Sequence, residues 1–133
     1  MNLQFTKKEL TAIVNLASNM IAADGKIDDA ELFSFTIEMQ RIGVEEYQIK
    51  SLMADAQAMQ SSEVISVVSN LKTNEKKYVA AFLGYLMSVD GNIDNTEMKL
   101  WKFASILCNL PLMNVTKAEQ IMNELPNILL TGM

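Results

Sequence analysis

The chain contains no histidine and only one cysteine, Cys108. Without histidine, neither histidine-based acid–base catalysis nor a zinc site made of cysteine and histidine can form. A single cysteine also excludes a disulfide bond within the chain. Any bound metal therefore has to be held by oxygen ligands, which suit Ca²⁺, Mg²⁺ and Mn²⁺.

Basic residues and long apolar runs are also scarce. Eleven lysines and arginines stand against sixteen aspartates and glutamates, a net charge of −5. We expect no nucleic-acid partner, because binding a phosphate backbone depends on clustered Lys and Arg. The longest apolar stretch, residues 78–89, is shorter than the roughly 20 residues that span a bilayer. Residues 1–10 are polar and unlike a signal peptide, so we predict a cytoplasmic protein without a transmembrane segment.

Helix signals dominate what remains. Only two prolines and five glycines interrupt the chain, and no alternating run of β-branched residues indicates a strand. The sequence therefore predicts an all-α fold, a compact bundle of about seven helices in one domain over residues 1–133. The predicted helices cover residues 6–23, 28–42, 45–59, 62–71, 74–89, 95–109 and 116–125, with Pro126 beginning a terminal turn.

Apolar residues at helical spacing predict which side of each helix is buried. The first and fifth helices carry almost no charge after their first turns, so we expect them at the centre of the bundle. We expect Cys108 to be a small core residue. The predicted buried stripes include Leu32, Phe35, Met39 and Ile42 in the second helix, Tyr47 in the third, and Met98, Trp101, Phe103, Ile106 and Leu107 in the sixth.

One acidic motif occurs twice. Residues 24–31 read Asp-Gly-Lys-Ile-Asp-Asp-Ala-Glu, and residues 90–97 read Asp-Gly-Asn-Ile-Asp-Asn-Thr-Glu. A shift of 66 positions superposes the two segments with five of eight residues identical. The chain is therefore interpreted as two pseudo-repeats, about residues 6–60 and 73–126, each built on a helix–turn–helix.

One interpretation of this motif is structural. Its glycine ends one helix, its second aspartate caps the next helix, and its glutamate completes a capping box. The first aspartate of each motif, Asp24 or Asp90, has no such role, because a carboxylate at the C-terminal end of a helix opposes the helix dipole. The residues with a capping role are Gly25, Asp28 and Glu31 in the first repeat, and Gly91, Asp94 and Glu97 in the second.

The other interpretations are a cation site and a polar surface that binds a partner. Asp24 with Glu31, and Asp90 with Glu97, lie at the two ends of a tight turn and are candidate ligands for a divalent cation. Asp28 and Asp94 are secondary candidates. An EF-hand loop numbered back from Glu31 would open on Met20 and Ala22 instead of acidic ligands, which argues against tight EF-hand calcium binding.

The repeated pattern resembles the TerB-like (tellurite-resistance) family and the N-terminal domain of DjlA-type membrane co-chaperones. In both repeats a nearly charge-free helix leads into Asp-Gly-x-Ile, and the next helix opens on glutamate, over residues 22–31 and 89–97. The resemblance implies a compact fold of about seven helices. It also implies metal chelation by acidic residues, here Asp24, Glu31, Asp90 and Glu97.

The leading hypothesis is a non-enzymatic cytoplasmic module that mediates protein–protein interaction or a stress response, with binding of a divalent cation by the acidic turns as a separate expectation. Its basis is the repeated acidic turn and the lack of a nucleophile–base pair or cofactor fingerprint. One alternative is a calcium-responsive switch of EF-hand type. Another is a hydrolase that uses paired carboxylates.

Overall fold

The computed structural model describes residues 3–22, 29–89, 91, 93 and 95–131, and within these ranges it contains seven α-helices and no strand. The predicted all-α class and the number and order of the helices are confirmed. None of the described helices is long and apolar enough to cross a membrane. The helices are α1 (Lys7–Ile21), α2 (Asp29–Arg41), α3 (Glu46–Ala58), α4 (Ser61–Ser69), α5 (Thr73–Ser88), α6 (Asn95–Leu107) and α7 (Val115–Thr131).

The ends of the helices follow local chemistry, with one exception. The predicted capping box at the start of α1 is present: the Thr6 N–H donates to Glu9 Oε1 at 2.7 Å, and the Glu9 N–H donates to Thr6 Oγ1 at 3.1 Å. The prediction that a terminal turn begins at Pro126 is wrong, because α7 continues through it to Thr131. Proline lacks an N–H but its fixed φ is compatible with a helix, so the cost is one lost hydrogen bond and local crowding.

Helices α1 and α5 form the centre of the bundle. They pack against each other, while α3 and α4 cover α1, and α7 covers α5. All residues from 78 to 84 are buried, so α5 meets neighbours around its whole circumference. This confirms the expected central position of the two nearly charge-free helices, since a helix with so few charged side chains needs neighbours on most of its sides.

Helices α2 and α6 pack on opposite sides of α5. From α2, the Phe35 ring stacks against Phe82 with the ring centroids 6.4 Å apart. From α6, Trp101 Nε1 donates to the carbonyl oxygen of Ala80 at 3.0 Å, and the indole ring lies against Gly84. Because residues two positions apart on a helix point about 200° from each other, the sides of α5 that carry residues 80 and 82 face apart.

The spacing of 66 residues recurs in the backbone geometry where α2 and α6 end. Gly43 has a φ of 102°, and Asn109, 66 positions later, has a φ of 55°. The following N–H groups, of Val44 and Leu110, donate at 2.9 and 2.8 Å to carbonyl oxygens five residues earlier. Both helices therefore end in the same left-handed turn, which satisfies carbonyls that the helix leaves open.

Candidate functional site

The acidic turns are only partly described by the structure. Asp24, Asp28, Asp90 and Asp94, four of the six predicted ligands, lie outside the described residues. The other two, Glu31 and Glu97, occupy equivalent positions in the first turns of α2 and α6. They are 3% and 2% exposed, so both repeats bury a glutamate at the same place.

Because Glu31 and Glu97 are buried, their carboxylates need a stabilising group other than bulk water. Removing a carboxylate from water is costly unless hydrogen bonds or a cation replace the lost hydration. The N–H groups at the start of a helix are one such replacement, and a divalent cation is another. Glu75 is a useful comparison, because it is 5% exposed and accepts a hydrogen bond from the Lys72 N–H at 3.0 Å in a capping arrangement. Burial alone is therefore compatible with capping as well as with metal binding.

Within the described ranges, no group of three or more acidic, cysteine or histidine side chains is arranged to hold a metal ion. A complete cation site at either turn would therefore need the aspartates that lie outside these ranges. The six predicted ligands and the choice of Ca²⁺, Mg²⁺ or Mn²⁺ remain predictions.

A further buried carboxylate, which the sequence analysis did not single out, lies in the middle of α2. Glu38 is 2% exposed; its Oε2 lies 2.7 Å from Arg41 Nη1, and its Oε1 accepts a hydrogen bond from the Tyr78 hydroxyl at 2.8 Å. Burial raises the pKa of the Glu38 carboxyl, and the neighbouring guanidinium and hydroxyl oppose that rise. Burial, followed by the Glu38 charge, also raises the pKa of Tyr78 well above its ordinary value. The sequence signal was a glutamate three residues after Phe35 on the buried side, with an arginine three residues further on.

The exposed sides of α2 and α6 differ from the predicted stripes. Leu32 is 38% exposed and Met98, its equivalent in the second repeat, is also 38% exposed. Neither contributes to the core, and Tyr47 on α3 is 80% exposed. The physical reason is that the side of each helix that faces the core includes its first-turn glutamate, Glu31 or Glu97, so the apolar residue that follows the glutamate points outward. The residues of the predicted sixth-helix stripe that are exposed are Met98, Phe103, Ile106 and Leu107.

Helix α6 therefore carries an apolar side that faces away from the bundle. Phe103 and Ile106 are each 60% exposed, and Leu107 is 42% exposed. Lys99 and Lys102 lie exposed on the same side of the helix. We call these five residues, together with Met98, the α6 face. Exposed apolar side chains that cluster on one side of a helix are typical of surfaces that meet another molecule.

Cys108 is 1% exposed, as predicted for a core residue. Burial raises the pKa of its thiol, which lowers the fraction of reactive thiolate at neutral pH. The residue therefore belongs to the packing of the bundle.

Among known proteins, the chain is similar to a solved structure, the crystal structure of a protein of unknown function, PG1108, from Porphyromonas gingivalis W83. The two chains are 38% identical, the match covers 92% of each, and the TM-score is 0.81. No protein-family model matches the chain, and no curated protein matches it. The TerB-like resemblance therefore stays a prediction.

Proposed function

The chain belongs to the same family as the Porphyromonas gingivalis protein, and we propose that it is a non-enzymatic module that binds a protein partner through the α6 face. The observation that carries this proposal is the exposure of Phe103 and Ile106, each 60% accessible on a well-packed helix. The free energy falls when a partner covers large apolar side chains that are otherwise exposed to water in this way.

The position of the α6 face supports this role. The opposite side of α6 is anchored by Trp101, which is 4% exposed and bonded to the backbone of α5. The helix therefore presents the face on a rigid support, which lowers the entropy lost when a partner binds.

The charge of the α6 face indicates the kind of partner. Lys99 and Lys102 lie among the apolar residues of the α6 face, close to Phe103 and Ile106, whereas the chain as a whole carries a net charge of −5. A partner surface that combines apolar and acidic side chains is complementary to this arrangement. The proposal includes the predicted cytoplasmic location, and the TerB-like resemblance adds a stress response as its setting.

The test combines capture of partners with reconstitution from purified components. Partners are captured from extracts of the native cell, purified, and titrated with wild-type protein and with the variant Phe103→Glu/Ile106→Glu. We expect the variant to lose binding, because two charges would be buried in an apolar interface. Tyr47→Glu, which places a charge at a position 80% exposed on α3, is the matched control and should bind like wild type. A reconstituted partner that binds the Phe103→Glu/Ile106→Glu variant as tightly as wild type refutes the proposal, as does the absence of any reproducible partner.

A second candidate function is binding of Ca²⁺, Mg²⁺ or Mn²⁺ at the acidic turns. The observation that favours it is the burial of Glu31 and Glu97 at equivalent positions of the two repeats. In this proposal Asp24 and Glu31 are ligands of one ion and Asp90 and Glu97 are ligands of the other, with Asp28 and Asp94 as secondary ligands.

Calorimetry with each metal distinguishes cation binding from capping. Glu31→Gln/Glu97→Gln should abolish the heat of binding, and so should Asp24→Asn/Asp90→Asn, because a neutral amide is a poorer ligand for a hard cation. Glu75→Gln changes a buried capping glutamate outside the acidic turns and should leave the heat unchanged. If millimolar metal produces neither heat nor a rise in melting temperature, cation binding and the calcium-switch alternative are both wrong. Metal-dependent hydrolysis of a substrate would instead favour the carboxylate hydrolase.

A further inference from the structure

Two surface clefts of nearly equal size lie at equivalent positions of the two repeats, with volumes of about 500 and 510 Å³. The first cleft lies between the start of α1, the turn after α2 and helix α3. The second lies between the start of α5, the turn after α6 and the start of α7. Positions 7, 10, 43, 44, 47, 51 and 55 line the first cleft, and positions 73, 76, 109, 110, 113, 117 and 121, each 66 residues later, line the second.

The two clefts have different charge. The first is lined by one lysine, Lys7, and one acidic residue, Asp55. The second is lined by Lys76, Lys77 and Lys117, and none of the described residues that line it is acidic. We call the second one the basic cleft. It collects three of the eleven cationic side chains of an acidic protein around one opening.

Two of the three lysines of the basic cleft lie near the N-terminal ends of helices. None of the three forms an ion pair with any residue in the described ranges. Lys76 lies at the end of the first turn of α5, and Lys117 lies in the first turn of α7. The N-terminal end of a helix is the positive end of its dipole, so it favours a negative charge placed near it. An anion in the cleft would be attracted by the lysines and by the two helix ends.

The remaining lining is aliphatic. Leu110 and Ile121 are buried to 6% and 8% exposure at the inner side of the cleft, while Leu112 is 64% exposed at its rim. A ligand therefore needs an apolar group as well as negative charge. No aromatic side chain lines the cleft among the described residues, so the stacking that single-stranded nucleic acids use is not provided.

We propose that the basic cleft binds an acidic peptide segment with an aliphatic anchor. The anchor lies against Leu110 and Ile121, and carboxylates on either side pair with Lys76 and Lys117. A peptide supplies several carboxylates around one apolar side chain, whereas a small monocarboxylate neutralises only one of the three lysines. The inference rests on the proposed protein-binding function in one respect, that the occupant is part of a protein.

The test is an NMR titration of ¹⁵N-labelled protein with a synthetic peptide of about twelve residues in which glutamate pairs flank leucine pairs, carried to about 2 mM to detect weak binding. We expect shifts of the backbone N–H signals of residues 109, 110, 112 and 113. Residues 43, 44 and 47 of the first cleft should not shift, which makes that cleft an internal control. The same peptide with glutamine in place of glutamate should bind at least about tenfold more weakly.

Two pairs of substitutions distinguish the cleft from overall charge. Lys76→Glu/Lys117→Glu should weaken peptide binding by about tenfold or more. Lys7→Glu/Lys50→Glu changes the net charge equally and should have little effect, because long-range effects of surface charge are screened by salt. Leu112→Ser should weaken binding without unfolding the protein, since that side chain is 64% exposed.

Several results would overturn the assignment. They are equal shifts in both clefts, equal weakening by the two lysine pairs, no shifts at the highest peptide concentration, or tighter binding of oligothymidylate than of the peptide at the basic cleft. Failure of the protein-binding function is seen separately, because Phe103→Glu/Ile106→Glu tests the α6 face and leaves the basic cleft intact. If a captured partner needs the α6 face but binds Lys76→Glu/Lys117→Glu normally, the cleft assignment fails and the protein-binding proposal stands.

Discussion

Replacing Tyr78 by phenylalanine tests the buried network between α2 and α5. The phenyl ring can keep the contacts of Tyr78 with Phe5 and Phe82, whose centroids lie 5.9 and 6.0 Å away. The substitution removes only the hydroxyl, which donates to Glu38 Oε1 at 2.8 Å. A hydrogen bond to a charged group contributes about 1.5–3 kcal/mol, so we expect the free energy of unfolding to fall by that amount at neutral to alkaline pH.

The loss should depend on pH because Glu38 titrates. Burial raises its pKa in the folded protein, so the folded state binds the proton more tightly than the unfolded state does. The stability that the protonated Glu38 carboxyl contributes is therefore fully present at low pH and is lost as pH rises through the raised pKa. The Tyr78 hydroxyl opposes this rise, so Tyr78→Phe should raise the Glu38 pKa further. Below both pKa values the acceptor is neutral, and the cost of Tyr78→Phe should shrink to about 0.5–1.5 kcal/mol.

Urea unfolding followed by the fluorescence of Trp101, the only tryptophan of the chain, measures both effects between pH 4 and 8. Tyr85→Phe on the same helix is the matched control, because the Tyr85 hydroxyl has no hydrogen-bond partner among the described residues. Glu38→Gln should remove the pH dependence of the Tyr78→Phe effect. A cost that is the same at all pH values, or no larger than that of Tyr85→Phe, would refute the role assigned to this network.

Three further predictions concern the packing and the turns. Gly84→Ala should lower the urea midpoint, because the new Cβ would lie 2.5 Å from Trp101 Cζ2. Overpacking costs about 1–3 kcal/mol, whereas the gain in helix propensity is about 1 kcal/mol, and an unchanged midpoint would contradict the close contact. Asn109→Ala should lower the free energy of unfolding by about 1 kcal/mol, because φ at this position is 55°, which alanine adopts at a cost. Asn109→Gly should leave it unchanged, and equal effects of the two substitutions would argue against the left-handed turn. Cys108 should react with Ellman's reagent far more slowly in native protein than in urea, because it is 1% exposed and burial raises its pKa; rapid native labelling would show that the thiol is accessible.

The sequence was sufficient to predict the helices and the two that lie at the centre. Helices α1 and α5 could be recognised because they lack charge after their first turns, and a helix of that kind needs neighbours on most of its sides. The sequence was less informative about α2, where Leu32, Phe33, Phe35 and Ile37 are distributed around the helix. A pattern that is apolar in several directions does not specify which direction faces the core, and only Phe35 of these four is buried.

Buried charge was the feature that sequence reasoning could not place. Glutamate is almost always exposed, so a stripe drawn from apolar residues alone passes over Glu31, Glu38 and Glu97. Each of these side chains is at most 3% exposed. Glu38 becomes intelligible only when Tyr78, forty residues away in sequence, is brought beside it by the packing of α2 on α5. The acidic motif drew attention to Glu31 and Glu97, but the sequence gives no indication that their carboxylates are buried.

The two repeats differ most where they could meet other molecules. The turns at Gly43 and Asn109 share one geometry, and a glutamate is buried in the first turn of the helix that precedes each of them, because these features build the fold. The clefts beside those turns share their size but not their charge, since the equivalents of Lys76 and Lys117 in the first repeat are leucine and serine. The basic cleft collects three lysines where the first cleft has one, a difference that the shared packing of the two repeats does not require. The second repeat is therefore the half in which to look for a ligand, and charge reversal at the basic cleft is the substitution that should separate binding from folding.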